Sequence, residues 1–481
     1  MVDMSNSRVV FICLLAALLT AGCGHTITDP AASLRDAGRS SGEHKLALQM
    51  LVTSPGEPTS SDIDAVQGLA YRPGYSEELR LEGLAYLLRV DRPALVITLR
   101  RRLPRVTDHD WLIRLCQFVA ENDIAELDEA LVSSWGRPWK YGMPDTERPE
   151  YLALLAMHGS GKPEEIVWKT FHEANRPSQS GLRYRCWDLL HRLDRRDQLI
   201  ALVLAESTDA VHPIQQGLRA AAVSFGTVPW NREEVLWIEK LTDPSRATFW
   251  ASAESACNGL SPERRASLEI RDLSIVTAAA QSRPDLLTAS REDLYAGVAK
   301  RLAGQRHYRE VDPGFEPGHE LDHRLSVQRD RLSWGDLLAI QMAQEAMSLP
   351  EVQSHLFDFA DRDLEDETTE YGGVINLDDT GRFTVREFPP RIRVHDARFE
   401  ASQEMFDAGY TSLFHFHYHA QKYRNGSHAG PGAGDMNYAN ATRTNCLVLT
   451  FVDHDTLNVD FYRHDDVLVD LGVIVRPSGR S

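Results

Sequence analysis

The feature that most constrains this chain is a change of hydrophobic period. From about residue 30 to residue 305 apolar residues recur at helical spacing, and from residue 371 they alternate with period two. The stretch "SEELRLEGLAYLLRV" (76–90) sets the first pattern, with Leu79, Leu81, Leu84, Leu87 and Leu88 along one stripe. That i/i+3/i+4 spacing lays one face of a helix on a core. Segments of the same kind follow, among them "DHDWLIRLCQFVAEN", "LRYRCWDLLHRL" and "REEVLWIEKLT", each bounded by Pro, Gly, Asp or Asn, the residues that start and stop helices. Short amphipathic helices cannot each close a core alone, but stacked in pairs they can. The expectation for 23–303 is an all-α region, either an α-solenoid or a compact irregular helical domain.

The succession resembles HEAT repeats, although no position recurs with a fixed residue. Trp111, Trp135, Trp187 and Trp237 lie at helical spacing beside leucines and are expected in the core. No chemistry is visible in this half. A solenoid offers a concave surface, so a protein partner is the expected role for it.

The second half is organised differently. Residues 304–332 are charged and interrupted by "DPGFEPG", and read as a linker. A helix is expected over 333–348 with Ser333 as its N-cap. Period-two runs follow in "YGGVINL", "RFTVREF" and "RIRVH", then a helix over 396–409, then strands in "YTSLFHFHYHA", "NCLVLTFV", "TLNVDFYRH" and "DVLVDLGVIV". This predicts a mixed α/β domain over 333–476 with a mixed β-sheet, preceded by the helical region.

Composition excludes one class of partner. The 481 residues carry 52 Lys and Arg against 70 Asp and Glu, a net charge of −18, and no basic segment stands out. A nucleic-acid partner is therefore not expected. The N-terminus reads as a signal over 1–22: Arg8, the apolar run "FICLLAALLTAG", then Cys23. The run is short for a membrane span and right for a secretory signal. "LLTAGC" resembles the lipobox of bacterial lipoproteins, with Thr20 where that motif prefers Leu; the alternative is an ordinary signal with an incidental cysteine. The resemblance implies lipidation of Cys23, a membrane attachment through the lipid, and a place in the bacterial cell envelope. Gly24 after the cysteine goes with outer-membrane sorting. Cys116, Cys186, Cys257 and Cys446 are widely spaced without a CxxC pair, so buried free thiols are expected and not a disulfide framework.

Two histidine motifs compete for a metal. "HELDH" (319–323) spells HExxH, which needs a helix with an apolar back to set two histidines one turn apart. Here Pro317 and Gly318 precede it and charged residues surround it, so His319, Glu320 and His323 are expected to be solvated linker residues. "FHFHYH" (414–419) behaves otherwise. On a strand its aromatics face one way and His415, His417 and His419 the other. Two imidazoles at i and i+2 can share a zinc ion if one further ligand joins them. Glu370 lies upstream at the start of the first strand, and Asp435 downstream at the start of a helix in the Gly-rich stretch after 420.

The order Glu…His-x-His…Asp resembles the JAMM (MPN/JAB) metallopeptidases over about 335–475. Glu370-Tyr371-Gly372-Gly373 resembles their E-x-x-G, "FHFHYHA" their H-x-H-P with Ala420 for the proline, and "PGAGD" (431–435) their P-S-x-x-D. The resemblance implies Zn2+ held by His417, His419 and Asp435, with the His415/His417 pair as the alternative. It implies Glu370 as the general acid/base of amide hydrolysis on a protein or peptide substrate. Gly432 stands where the family has an oxyanion-assisting serine; Ser427, His428 and Asn437 are candidates to replace it. Two functions are therefore carried forward: an envelope lipoprotein with a zinc-dependent (iso)peptidase domain, or a non-catalytic binding or scaffold lipoprotein with an inactive JAMM-like domain. The acidic run "DRDLEDETTE" is expected to raise the pKa of Glu370.

Overall fold

The computed structural model describes residues 26–138, 142–193, 196–205, 212–308, 322–393 and 399–478. The signal segment and the expected lipidation site Cys23 lie outside the described residues, as do His319 and Glu320. The chain divides into two compact units between residues 194 and 195. The expected boundaries at 303 and 333 therefore do not separate compact units, and helices after 195 belong with the sheet.

The first unit is helical throughout its described residues, from the helix Pro30–Arg35 to Ser180–Arg192. Helix starts are written locally. Ser40 with Glu43 and Thr59 with Asp62 form capping boxes, and Asp91 and Asp108 cap their own helices, each satisfying backbone N–H groups that the helix leaves open. Sequence neighbours pack together, 60–71 on 77–90 and 162–173 on 180–192. Trp111, Trp135 and Trp187 are buried, as is Trp237 in the second unit, which agrees with their expected role as core.

In the second unit we label the elements that position the site: α1 (Asp272–Ser282), α2 (Trp334–Met347), α3 (Pro350–Glu365), β1 (Gly372–Leu377), β2 (Phe383–Phe388), α4 (Gln403–Gly409), β3 (Phe414–His419), α5 (Ala433–Thr442), β4 (Cys446–Asp453), β5 (Thr456–Arg463) and β6 (Val467–Val475). The strands form one mixed sheet in the order β2-β1-β3-β4-β5-β6. Only β3 and β4 run parallel; every other neighbouring pair is antiparallel. One face of the sheet, with Phe414, Phe416, Tyr418, Leu447, Leu449, Val459 and Phe461, shares a continuous core with Ile275, Leu337, Ile340, Leu356 and, further back, Phe225 and Ile238. The other face carries two smaller clusters, Met436, Ala439, Val448, Tyr462 and Leu468 under α5, and Val374, Phe388 and Met405 under α4. Two short helices thus cover that face incompletely and leave a cleft between them.

Four local points need correction. Helix α3, which no expectation covered, takes in the first half of the acidic run: Val352, Leu356, Phe357, Ala360 and Asp363 are buried along one side of it. The helix expected over 396–409 begins only after Ser402, which caps α4. Residues 391–393 of "RIRVH" form no strand. His323 is not solvated but 6% exposed, for reasons that lie with its partner far along the chain.

A buried charge network fastens the helices to the sheet. Asp336 Oδ1 accepts from Arg271 Nη2 at 2.8 Å and Arg463 Nε at 3.0 Å, and Arg463 Nη2 reaches Asp336 Oδ2 at 2.9 Å. Arg271 also pairs with Glu269 at 2.8 Å and donates to the Asn445 side chain. The Asn445 carbonyl in turn accepts the His415 N–H at 2.9 Å, so the network reaches the start of β3.

Candidate metal centre

Strand β3 sets the histidines. Its register with β1 (Gly372 opposite His417) and with β4 (His417 opposite Val448) fixes which way each side chain points, because a shift of one residue would turn the histidines into the core. The entry to β1 lies close against its neighbours. A Cβ on Gly373 would stand 2.1 Å from the Arg386 carbonyl oxygen, so only glycine lets β2 approach there. That approach places Glu370, two residues before the strand, in the same cleft as the histidines.

Asp435 comes from the first turn of α5. Its Oδ2 accepts the Gly432 N–H at 2.8 Å, the carboxylate half of a capping box. From there Asp435 Oδ1 lies 3.1 Å from His417 Nε2 and Oδ2 lies 3.5 Å from His419 Nε2. One ligand atom from each of the three residues falls within 4.8 Å of the others. The cleft that holds them has a volume of about 920 Å³ and is lined also by Glu370, Phe399, Met405, Gln421, Lys422, Asn437, Tyr438 and Tyr462.

The donor set fits a metal ion. His417 Nε2 is buried, and its near neighbour is Asp435 Oδ1 at 3.1 Å, a contact short of a well-formed hydrogen bond. A buried nitrogen so weakly satisfied is stabilised by an ion that uses its lone pair. His419 Nδ1 lies 2.8 Å from the His428 carbonyl, so Nδ1 carries a proton, while Nε2 faces Asp435 Oδ2 at 3.5 Å, donating to it when the ring is protonated and offering its lone pair to an ion once that proton leaves. This is the outer-shell arrangement that orients a ligating imidazole. Two imidazoles and one carboxylate, with no fourth ligand in the cluster among the described residues, match the donor set of zinc centres that keep an open position.

His415 has a different role from its neighbours. Its Nδ1 meets the Tyr438 hydroxyl at 2.7 Å and its ring is closed in by Gly409. Burial lowers its pKa to about 4, which makes it a neutral packed imidazole. It lines the cleft but is not one of the three residues whose ligand atoms cluster.

The electrostatics follow from burial and mutual charge. Burial would raise Asp435, but His417 and His419 overcome it and hold the carboxylate well below its usual range. Burial would lower His419, yet the hydrogen bond and charge of Asp435, joined by Glu370, raise it to about 9. Glu370 is raised chiefly by burial, with Asp435 pushing the same way and the two histidines opposing. The acidic run expected to do this is not among the causes. Gln421 Nε2 donates to Glu370 Oε1 at 3.3 Å.

The sequence reading missed several supporting groups. The Tyr462 hydroxyl lies 3.4 Å from His417 Nδ1, Phe399 stacks over the His417 ring, and Asn425 Nδ2 donates to the His419 carbonyl at 3.1 Å. Of the three candidates for the missing serine, His428 and Asn437 line the cleft and Ser427 does not. Among the described residues no helix is long and apolar enough to cross a membrane. Comparison of the chain with models of known families, with curated proteins and with solved structures returns no match.

Proposed function

We propose that the sheet-bearing region is a zinc-dependent amide hydrolase of JAMM type, carried by a lipoprotein of the bacterial outer membrane whose HEAT-like helical part engages a protein partner. The observation that carries the catalytic reading is the convergence of Glu370, His417, His419 and Asp435 on one cleft from three separate elements. His417 Nε2, His419 Nε2 and one Asp435 oxygen would hold the ion. Zinc there would supply Lewis acidity, lowering the pKa of a water and polarising a carbonyl. Glu370, buried and raised in pKa, accepts the proton of the attacking water and returns it to the leaving nitrogen. Phe399, Met405 and Tyr438 would give the substrate an apolar wall, and Asn437 or His428, which line the same cleft, would donate to the developing oxyanion.

The deciding experiment is metal content by mass spectrometry on the purified protein. One zinc per chain, lost in His417→Ala/His419→Ala and kept in His319→Ala/His323→Ala at saturating zinc, is the expected result. No zinc in wild type after incubation with zinc refutes the reading. A second reading, an inactive binding lipoprotein, is favoured by one observation: Gly432 offers a backbone N–H, already engaged by Asp435, and no hydroxyl. Zinc binding without hydrolysis of any peptide in a library screen would select it. Lipid attachment is tested by the mass of the mature N-terminal peptide, which loses its acyl groups in Cys23→Ala.

A further inference from the structure

The two flanks of residues 309–321 lie against the loop that orients the metal ligands. That loop, 425–432, makes three contacts with them. The His428 carbonyl accepts from His419 Nδ1 at 2.8 Å, Asn425 Nδ2 holds the His419 carbonyl at 3.1 Å, and the Gly432 N–H holds Asp435 Oδ2 at 2.8 Å. Two ligands out of three therefore depend on where this loop sits.

On one flank, His323 Nδ1 lies 3.1 Å from Asp460 Oδ1 and its carbonyl accepts the Asp470 N–H at 2.9 Å. The edge of the ring then lies against the loop at Gly430. Gly430 has φ +94°, and a Cβ there would stand 2.0 Å from His323 Cε1. No other residue would leave room for the imidazole. On the other flank, the Tyr308 ring approaches Gly426, and the Tyr308 N–H and His307 Nδ1 both reach Asp470 Oδ2, at 3.1 and 2.9 Å. Asp460 and Asp470 face each other across β5 and β6, and Asp460 lies opposite Val448, itself opposite His417. The anchor of the brace and the metal centre thus share one row of one sheet face. Asp460 is fixed further by Asn458 Nδ2 at 2.7 Å.

We infer that His323, the last residue of the HExxH-like stretch, is a positioning residue for the metal centre: held on Asp460, its ring sets Gly430 and through the loop aims His419 and Asp435. The inference rests on the zinc-centre reading. A histidine suits the place because one ring supplies both the nitrogen for a buried carboxylate and the flat edge against glycine backbone. A glutamine keeps the first and loses the second. Phenylalanine does the reverse and leaves Asp460 Oδ1 without the His323 donor, with Asn458 alone on Oδ2.

The test measures zinc affinity by chelator competition, and the visible spectrum of the cobalt(II)-loaded protein, on the full chain. Variants are His323→Ala, His323→Gln and Tyr308→Ala, with circular dichroism of each apo form. Outer-shell partners of metal ligands change affinity about 10- to 100-fold. The expected result is about tenfold or greater loss of zinc affinity and an altered cobalt spectrum in His323→Ala, with partial recovery in His323→Gln and an apo fold like that of wild type. A purely structural role would lower apo stability and leave the cobalt spectrum unchanged. Should His323→Ala not fold, His323→Gln and Tyr308→Ala carry the same two readouts. Wild-type affinity and spectrum in the folded variants overturn the positioning role alone. A wild type that binds no zinc, or keeps it in His417→Ala/His419→Ala, overturns the metal centre and this inference with it.

Discussion

Replacing Asp336 by alanine isolates what the buried network contributes. The Arg271 and Asp336 side chains are 0% exposed and that of Arg463 8%. Without Asp336, Arg271 keeps Glu269 at 2.8 Å, but Arg463 keeps only the carbonyls of His464 and Arg331, at 2.9 and 3.2 Å. An uncompensated buried charge of this kind costs about 3–5 kcal/mol. Asp336 also caps α2 by accepting the Ser333 N–H at 2.7 Å, a contact whose loss costs about 1 kcal/mol. The expected loss is therefore about 4–6 kcal/mol, a large share of a stability on the order of 5–15 kcal/mol. Urea-dependent hydrogen exchange of α2 and β5 peptides reads this unit alone. The pH profile gives a second check. Despite burial, Arg463 and Arg271 hold the Asp336 carboxyl below its ordinary range. A depressed carboxyl stabilises the fold above its unfolded pKa of about 4 and loses that contribution as pH falls, so the gap between wild type and variant narrows by about 1 kcal/mol from pH 7 to pH 3. Asp336→Leu/Arg463→Met, which removes the charges together, should regain most of the loss. A loss under about 1 kcal/mol for Asp336→Ala at pH 7 would refute the reasoning.

Further expectations concern the site and the thiols. Glu370→Gln should keep one zinc per chain while lowering hydrolysis about 10²- to 10⁴-fold, the range for a general base; unchanged turnover would remove Glu370 from the chemistry. Gly432→Ser, at a helix N-cap that accepts serine, should raise turnover if an oxyanion donor is wanting there, and leave it unchanged if His428 or Asn437 already supplies one. Burial raises Cys116 well above its usual range and Cys186, Cys257 and Cys446 to about 12. Alkylation of these four in the native protein at pH 8 should therefore run about a thousandfold or more slower than in urea, and labelling of any of them at the free-cysteine rate, followed by peptide mass spectrometry, would contradict their burial.

The site was legible in the sequence because its signals are local. Alternation on a strand put His417 and His419 on one face whatever lay beyond, and a glycine-rich stretch before Asp435 marked a helix start. What stayed hidden depends on partners far along the chain. His323 looked solvated because its neighbours are charged, yet the carboxylate that buries it is Asp460, 137 residues on. Helix α3 was masked by its own outer face, where acidic residues obscured the stripe of Val352, Leu356, Phe357 and Ala360. The division into compact units at 194/195 was hidden for a related reason. A break in periodicity marks a change of element, whereas the core runs on from Phe225 and Ile238 through α2 to the sheet.

The parallel pairing of β3 and β4 carries a consequence for descent. Neighbouring parallel strands oblige the chain to recross the sheet between them, and here β3 and the crossing that follows it carry the three candidate ligands, His417 and His419 on the strand and Asp435 on the crossing helix. On the zinc-hydrolase reading, the carboxylate that would move the proton, Glu370, arrives separately, ahead of β1. Ion retention and reactivity would then be written in two stretches that mutate independently. A lineage of such chains could shed its chemistry at position 370 and keep the ion as a clasp between strand and crossing. The presence of metal would then record ancestry, and the residue at 370 would tell which descendants still work.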